Sequence, residues 1–156
     1  MKRRIFACLL AVLFMFPVVS GNLTQVYAEE DVQMEDIDYS YLTDGNALTG
    51  YGESQTWGIY LANGSVSISK YSSTKIAAGG ITNGARICSM SVSVIVERYK
   101  DGGWARVTSW TASKTNDSSV ATAKVLSITT GYKYRVRGYH TAYTDALNTW
   151  TNSLQM

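Results

Sequence analysis

Between Val66 and His140 apolar side chains recur at every second position, a period that excludes helix for most of the chain. The clearest run is "ICSMSVSVIVERY", where Cys88, Met90, Val92, Val94 and Val96 share one parity and serines oppose them until Ile95. Successive side chains of an extended strand point to opposite faces, so such a run has one dry face and one wet face. "SVSISKY" repeats the pattern with Val66 and Ile68, and "TKIAA", "GGITNGA", "WARVTSW", "VATAKVLSI" and "YKYRVRGYH" read as further extended segments. "WGIYL" leads into Asn63-Gly64, expected to be a hairpin turn, and Asp101-Gly102-Gly103 marks another. "NTWTNSLQ" is expected to close the sheet. Seven or eight strands at roughly ten-residue spacing predict an all-β fold, an antiparallel β-sandwich.

The chain begins with three cations (Lys2, Arg3, Arg4), then an apolar run from Ile5 to Val19 interrupted by Pro17, then Val26-Tyr27-Ala28. That order is the secretory signal pattern, with Ala28 as the cleavage residue. The apolar run spans 15 residues, short of the roughly 20 a membrane helix needs. Cys8 sits too early in it to be a lipid-modified cysteine. Residues 1–28 are therefore expected to be a removed signal peptide, and the product to be secreted, with no membrane span after cleavage.

Removing the leader changes the charge balance. Three of the 14 Lys and Arg lie in it, so eleven bases remain against 12 acids and the net charge becomes −1. Nucleic-acid binding loses its electrostatic basis. One cysteine remains, Cys88, which cannot form an internal disulfide; flanked by Ile87 and Met90 it reads as a buried apolar filler. The 128 remaining residues can bury an adequate core.

Charge divides the mature chain. Residues 29–53 hold eight acids and no base, whereas residues 54–156 hold four acids and eleven bases. We read residues 29–54 as an acidic, partly ordered lead-in and residues 55–156 as the β-sandwich domain. The lead-in is either solvated and loosely ordered or folded back on the basic domain. Asp36, Asp38 and Asp44 lack the glycine and closing glutamate of a calcium loop, and no metal or other cofactor is expected.

"GYKYRVRGYH" carries the most chemistry. Alternation places Lys133, Arg135 and Arg137 on one face and Tyr134, Val136 and Gly138 on the other. The basic face reads as a solvated outer surface or as an anion-binding patch. His140 belongs by parity to the inward set, but at the strand end it reads as a cap; as a catalytic base it lacks any nucleophile motif nearby. Paired carboxylates suited to glycoside hydrolysis are also missing, since Asp101 and Asp117 sit in turns and Glu97 neighbours Arg98 on a strand. The expectation is a protein that is not an enzyme. Trp57, Trp104, Trp110 and Trp150 offer aromatic surface. Trp104 is expected to be mostly buried, and Trp110, beyond the last valine of its strand, to be the exposed ring.

"VLSITTGYKYRVRGYH" resembles the junction of the fifth and sixth strands of fibronectin type III domains, with Ile128, the turn glycine Gly131 and Tyr134 at matching positions. "VIVERYKDGGWARV" is similar to that family's third-strand hairpin, with Trp104 just after the turn. The resemblance implies a fibronectin type III or immunoglobulin-like sandwich with a tyrosine corner. In such a corner the Tyr134 ring enters the core and its hydroxyl bonds backbone near the preceding turn. The mature chain also resembles an uncharacterised family of small exported proteins of Gram-positive bacteria, through Val92, Val94, Val96, Glu97, Arg98, Trp104, Val107, Gly131 and residues 134–140. That likeness implies a fold and a location without an activity.

These readings predict a secreted, non-enzymatic extracellular binding module that engages a protein or a surface glycan. Its candidate ligand-binding residues are Trp110, Arg135, Arg137, Tyr139 and His140. The alternative is a bacteriocin-like effector acting at a cell envelope.

Overall fold

The computed structural model describes residues 32–53 and 59–156. The expected signal peptide with Ala28, and Trp57, lie outside the described residues. The strands are β1 (Met34–Ile37), β2 (Leu48–Glu53), β3 (Leu61–Lys70), β4 (Lys75–Lys100), β5 (Gly103–Ser127), β6 (Lys133–Ala142), β7 (Asp145–Trp150) and β8 (Leu154–Gln155). A short 3-10 helix, Tyr39–Thr43, joins β1 to β2. All strand pairings described are antiparallel. The fold is all-β.

Its organising element is the β4–β5 hairpin. β4 has 26 residues and would reach roughly 85 Å if straight. It does not run straight. A Cβ added to Gly80 would lie 2.8 Å from Cγ2 of Val92, and the Thr82 hydroxyl donates to the Ser91 carbonyl at 2.9 Å. The strand therefore doubles back between Asn83 and Met90, where its register against β5 slips twice. β5 turns with it, bringing the Trp110 indole nitrogen 3.1 Å from Oγ1 of Thr122. The segments expected as separate strands, "TKIAA", "GGITNGA" and "ICSMSVSVIVERY", are one bent strand. "WARVTSW" and "VATAKVLSI" are likewise both parts of β5.

The bend makes two layers. Residues 75–84 of β4 pair with β3 on one side and with the end of β5 on the other, and β2 and β1 complete that layer. Residues 90–99 pair with β6 and with the start of β5, and β7 and β8 extend the second layer. Val66, Ile68, Ile76 and Leu126 of the first layer and Val92, Val94, Val96, Tyr134 and Val136 of the second are at most 1% exposed and form one core. Each such side chain contributes about 1.5–3 kcal/mol on burial. The Lys124–Asp36 pair, with Asp36 82% exposed, is worth at most about 1 kcal/mol. Apolar burial holds the layers together.

Two turn-prone dipeptides meet different outcomes. Asp101 (φ 53°) and Gly102 (φ 83°) separate the paired Lys100 and Gly103, so the chain reverses through a two-residue loop with both central φ angles positive, as Asp-Gly favours. Asn63-Gly64, by contrast, is not a turn. Both residues lie within β3, paired to β2 and β4. The glycine serves the packing instead, because a Cβ on Gly64 would sit 2.6 Å from Cγ of His140.

Of the two forms open to the acidic segment, residues 34–53 fold back on the domain, supplying β1, the 3-10 helix and β2. Asp38 caps the helix by accepting from the Ser40 amide at 2.8 Å, and that bond holds its carboxyl below the usual range. Leu42 is buried against Ala77, Ala123 and Val125. The small residues on the outer face of the first layer leave that slot; a Cβ on Gly79 would come within 2.8 Å of Leu42 Cδ1.

Gly64→Ala is expected to destabilise the protein by about 1–3 kcal/mol in urea unfolding followed by circular dichroism. Gly45→Ala, where an added Cβ meets nothing within 4 Å, is expected to change stability by less than about 0.5 kcal/mol.

Candidate functional site

The outer face of the second layer gathers most of the exposed arginine and aromatic side chains singled out above. Arg135, Arg137 and Tyr139 follow one another at every second position of β6, and β4 places Glu97, Ile95 and Ser93 directly opposite them. β7 sets Trp150 opposite Arg137, and the hairpin sets Trp104 opposite Tyr99. Strands lie about 4.8 Å apart, so these side chains form one continuous surface.

The surface is held in place from beneath. Glu97 is only 6% exposed; it accepts from Arg135 Nε at 2.7 Å and forms an ion pair with Arg137 Nη2 at 3.4 Å. The Arg135 guanidinium also lies 4.2 Å from the Trp104 ring centroid, and the Tyr99 ring meets Trp104 edge-on at 5.3 Å. Arg135 is therefore clamped between a carboxylate and a ring face, which removes most of its rotamer freedom. Arg137 is more open, and Trp150 beside it is 60% exposed. Trp104, expected to be mostly buried, is half-buried on this outer face.

Two expected members of the site point the other way. Trp110 is not the exposed ring. A bulge at Val107 places Val96 opposite Thr108 but Glu97 opposite Arg106, so one extra residue reverses the parity of everything after it. Trp110 thus shares the inward face with Val94, its indole N–H donating to Thr122 across the layers and its ring packed against the core. Sequence reasoning missed Trp150 in turn. Its place follows from the Tyr143-Thr144 turn, which sets the β6–β7 register, and Tyr143 adopts φ 51° there without the usual glycine signal.

His140 is the other residue that turns inward. It neither caps a strand end nor faces solvent, because β6 continues to Ala142 and the ring is 0% exposed. Nδ1 lies 2.8 Å from Oγ1 of Thr82 and Nε2 lies 2.8 Å from Oγ1 of Thr149. The Thr82 hydroxyl already donates to Ser91 O, so it accepts here. This assigns the ring proton to Nδ1 and leaves Nε2 to accept from Thr149. Desolvation lowers the His140 pKa from 6.5 to about 4. A neutral ring that ties Thr82 at the elbow to Thr149 on β7 is a structural link between layers.

The remaining marked residues have structural places. Tyr134 is 1% exposed and its hydroxyl donates to the Thr129 carbonyl at 2.7 Å, the geometry of a tyrosine corner. Gly131, at φ 89°, donates its N–H to Met156 O at 2.7 Å. Asp145 accepts from the Tyr60 and Leu61 amides at 2.8 and 3.0 Å, which hold its carboxyl below the usual range. Asp117 is held down likewise by Lys114 and by the Ser119 and Ser118 amides. Cys88 is half-buried at the elbow. Among the described residues no three His, Cys, Asp or Glu side chains cluster to hold a metal ion. No helix there is long and apolar enough to cross a membrane.

No family model matches the chain, and no curated protein matches it. Among solved structures, the solution structure of R. palustris CsgH is similar at a TM-score of 0.39 and 10% identity, covering 67% of this chain and 91% of that one.

The buried imidazole makes stability depend on pH. Its folded pKa lies below the unfolded value, so the unfolded chain binds the extra proton as pH falls from 6.5 towards 4, and stability is full above that window and lost through it. Between pH 7.5 and 4.5 the loss from this group is about 2–3 kcal/mol. Urea unfolding of the native chain and of His140→Gln at both pH values checks this; the variant is expected to show a correspondingly smaller loss.

Proposed function

We propose that this chain is a secreted, non-enzymatic binding module that engages an extracellular protein through the outer face of the second layer. The observation that carries the reading is the side-by-side exposure of Trp150, Arg137 and Tyr139 on a regular sheet. Tyr139 is 43% exposed and Trp150 60%. Tryptophan, tyrosine and arginine dominate the energetics of protein–protein contacts. Rings mounted on paired strands also lose little conformational entropy on binding. The Glu97 carboxylate beneath Arg135 and Arg137 fixes the guanidinium planes and leaves the surface net positive, which favours a partner with an acidic rim. The leader-like residues 1–28 support export.

Two experiments test the reading. Expression in a Gram-positive host is expected to release the protein into the medium with Glu29 at its N-terminus, read by terminal sequencing. Tagged protein is then used to capture partners from a cell-surface extract. Trp150→Ala/Arg137→Ala is expected to lose the captured protein while keeping the native melting temperature, because both side chains project outward. Capture that is identical for both proteins would overturn the assignment to this face.

A further inference from the structure

We infer that the opposite side of the molecule holds a separate site for a neutral oligosaccharide, in the cleft between the 3-10 helix and the outer face of the first layer. The cleft encloses about 470 Å³, within the roughly 300–1,000 Å³ range of small-ligand sites. Its chemistry is specific. Tyr39, Thr49, Ser65 and Ser67 line it with hydroxyl groups, Asp44 adds a carboxylate, and Tyr51 stands at its side. Tyr51 is 81% exposed, a large ring that the fold leaves in solvent.

Each element has a reason to be there. β3 alternates serine with Val66 and Ile68, so its outward serines face the cleft. β2 sets Thr49 opposite Ser67 and Tyr51 opposite Ser65. The Thr49 and Ser67 hydroxyls lie 2.9 Å apart; Ser67 is 1% exposed, so the half-buried Thr49 is the one that offers a further bond to the cleft. The floor is closed by Ile81 and Leu42. A smaller recess of about 100 Å³ continues past Asp44 and is lined by Tyr41, Asn46, Ser69 and Lys70. There Ser69, 5% exposed, buries a hydroxyl oxygen that has no hydrogen-bond partner. That oxygen has essentially no accessible surface, so it lies beneath the recess rather than open to a ligand.

The lining selects the ligand class. Among the described residues no cation lines the main cleft, and Asp44 there repels phosphates and uronic acids. A wholly apolar ligand would strip water from the Tyr39 and Thr49 hydroxyls and the Asp44 carboxylate without replacing those bonds. A polyhydroxyl ring answers both demands, with its C–H face on Tyr51 and its hydroxyls on Tyr39, Thr49 and Asp44. The site shares no residue with the arginine–tryptophan face, so either can fail without the other.

The test is calorimetric titration of the purified protein with maltohexaose, cellohexaose and hexa-N-acetylchitohexaose, with polygalacturonate as the anionic probe. At least one neutral hexasaccharide is expected to bind. Tyr51→Ala is expected to weaken it by about tenfold or more, Tyr51→Trp to retain it, and Trp150→Ala to leave it unchanged. Absence of binding by all three neutral probes, binding of polygalacturonate alone, or unchanged affinity in Tyr51→Ala would overturn the inference.

Discussion

The elbow in β4 is the constraint on which the two layers depend. An extended strand of this length has no interior of its own. Only by folding at residues 83–90 does it bring Gly80 against Val92 and set one apolar row over another. The polar groups trapped inside that fold are satisfied by a short chain, from Ser91 O through the Thr82 hydroxyl and the His140 ring to the Thr149 hydroxyl. Leaving any of them unpaired in the interior would cost more than a typical hydrogen bond contributes. Gly64 belongs to the same device, because its missing side chain is the space the imidazole occupies.

Once the layers face each other, the alternation assigns roles to their outer surfaces. On the second layer the outward positions carry arginine, tyrosine and tryptophan over a buried glutamate. On the first they carry serine, alanine and glycine, and the acidic N-terminal segment partly covers them through Leu42. One surface is convex in chemistry, with long side chains reaching out; the other is a recess between a helix and a sheet. The single core serves both.

How far the residues announced this arrangement depends on whether a local rule met competition. Val92, Val94 and Val96 were readable because one face of that strand is entirely apolar, and Tyr134 was readable because its flanking turn is local. The β6 alternation separated Lys133, Arg135 and Arg137 from the buried Tyr134, Val136 and Gly138. Three features were not readable. Asn63-Gly64 has strong turn chemistry, yet the contact with His140 is made by a residue more than seventy positions away. Trp110 changed faces because of a bulge at Val107 that only cross-strand pairing reveals. The glycines and asparagine near residue 84 signalled a break, whereas the chain needed only a bend.

β4 is hydrogen-bonded to β3 in one layer and, past the elbow, to β6 in the other. A covalent backbone, rather than a noncovalent seam, thus joins the ladder that carries Tyr51 to the ladder that carries Trp150. Tension applied across the two layers would run along that ribbon, and the sheets could not be peeled apart without first straightening the chain between Asn83 and Met90.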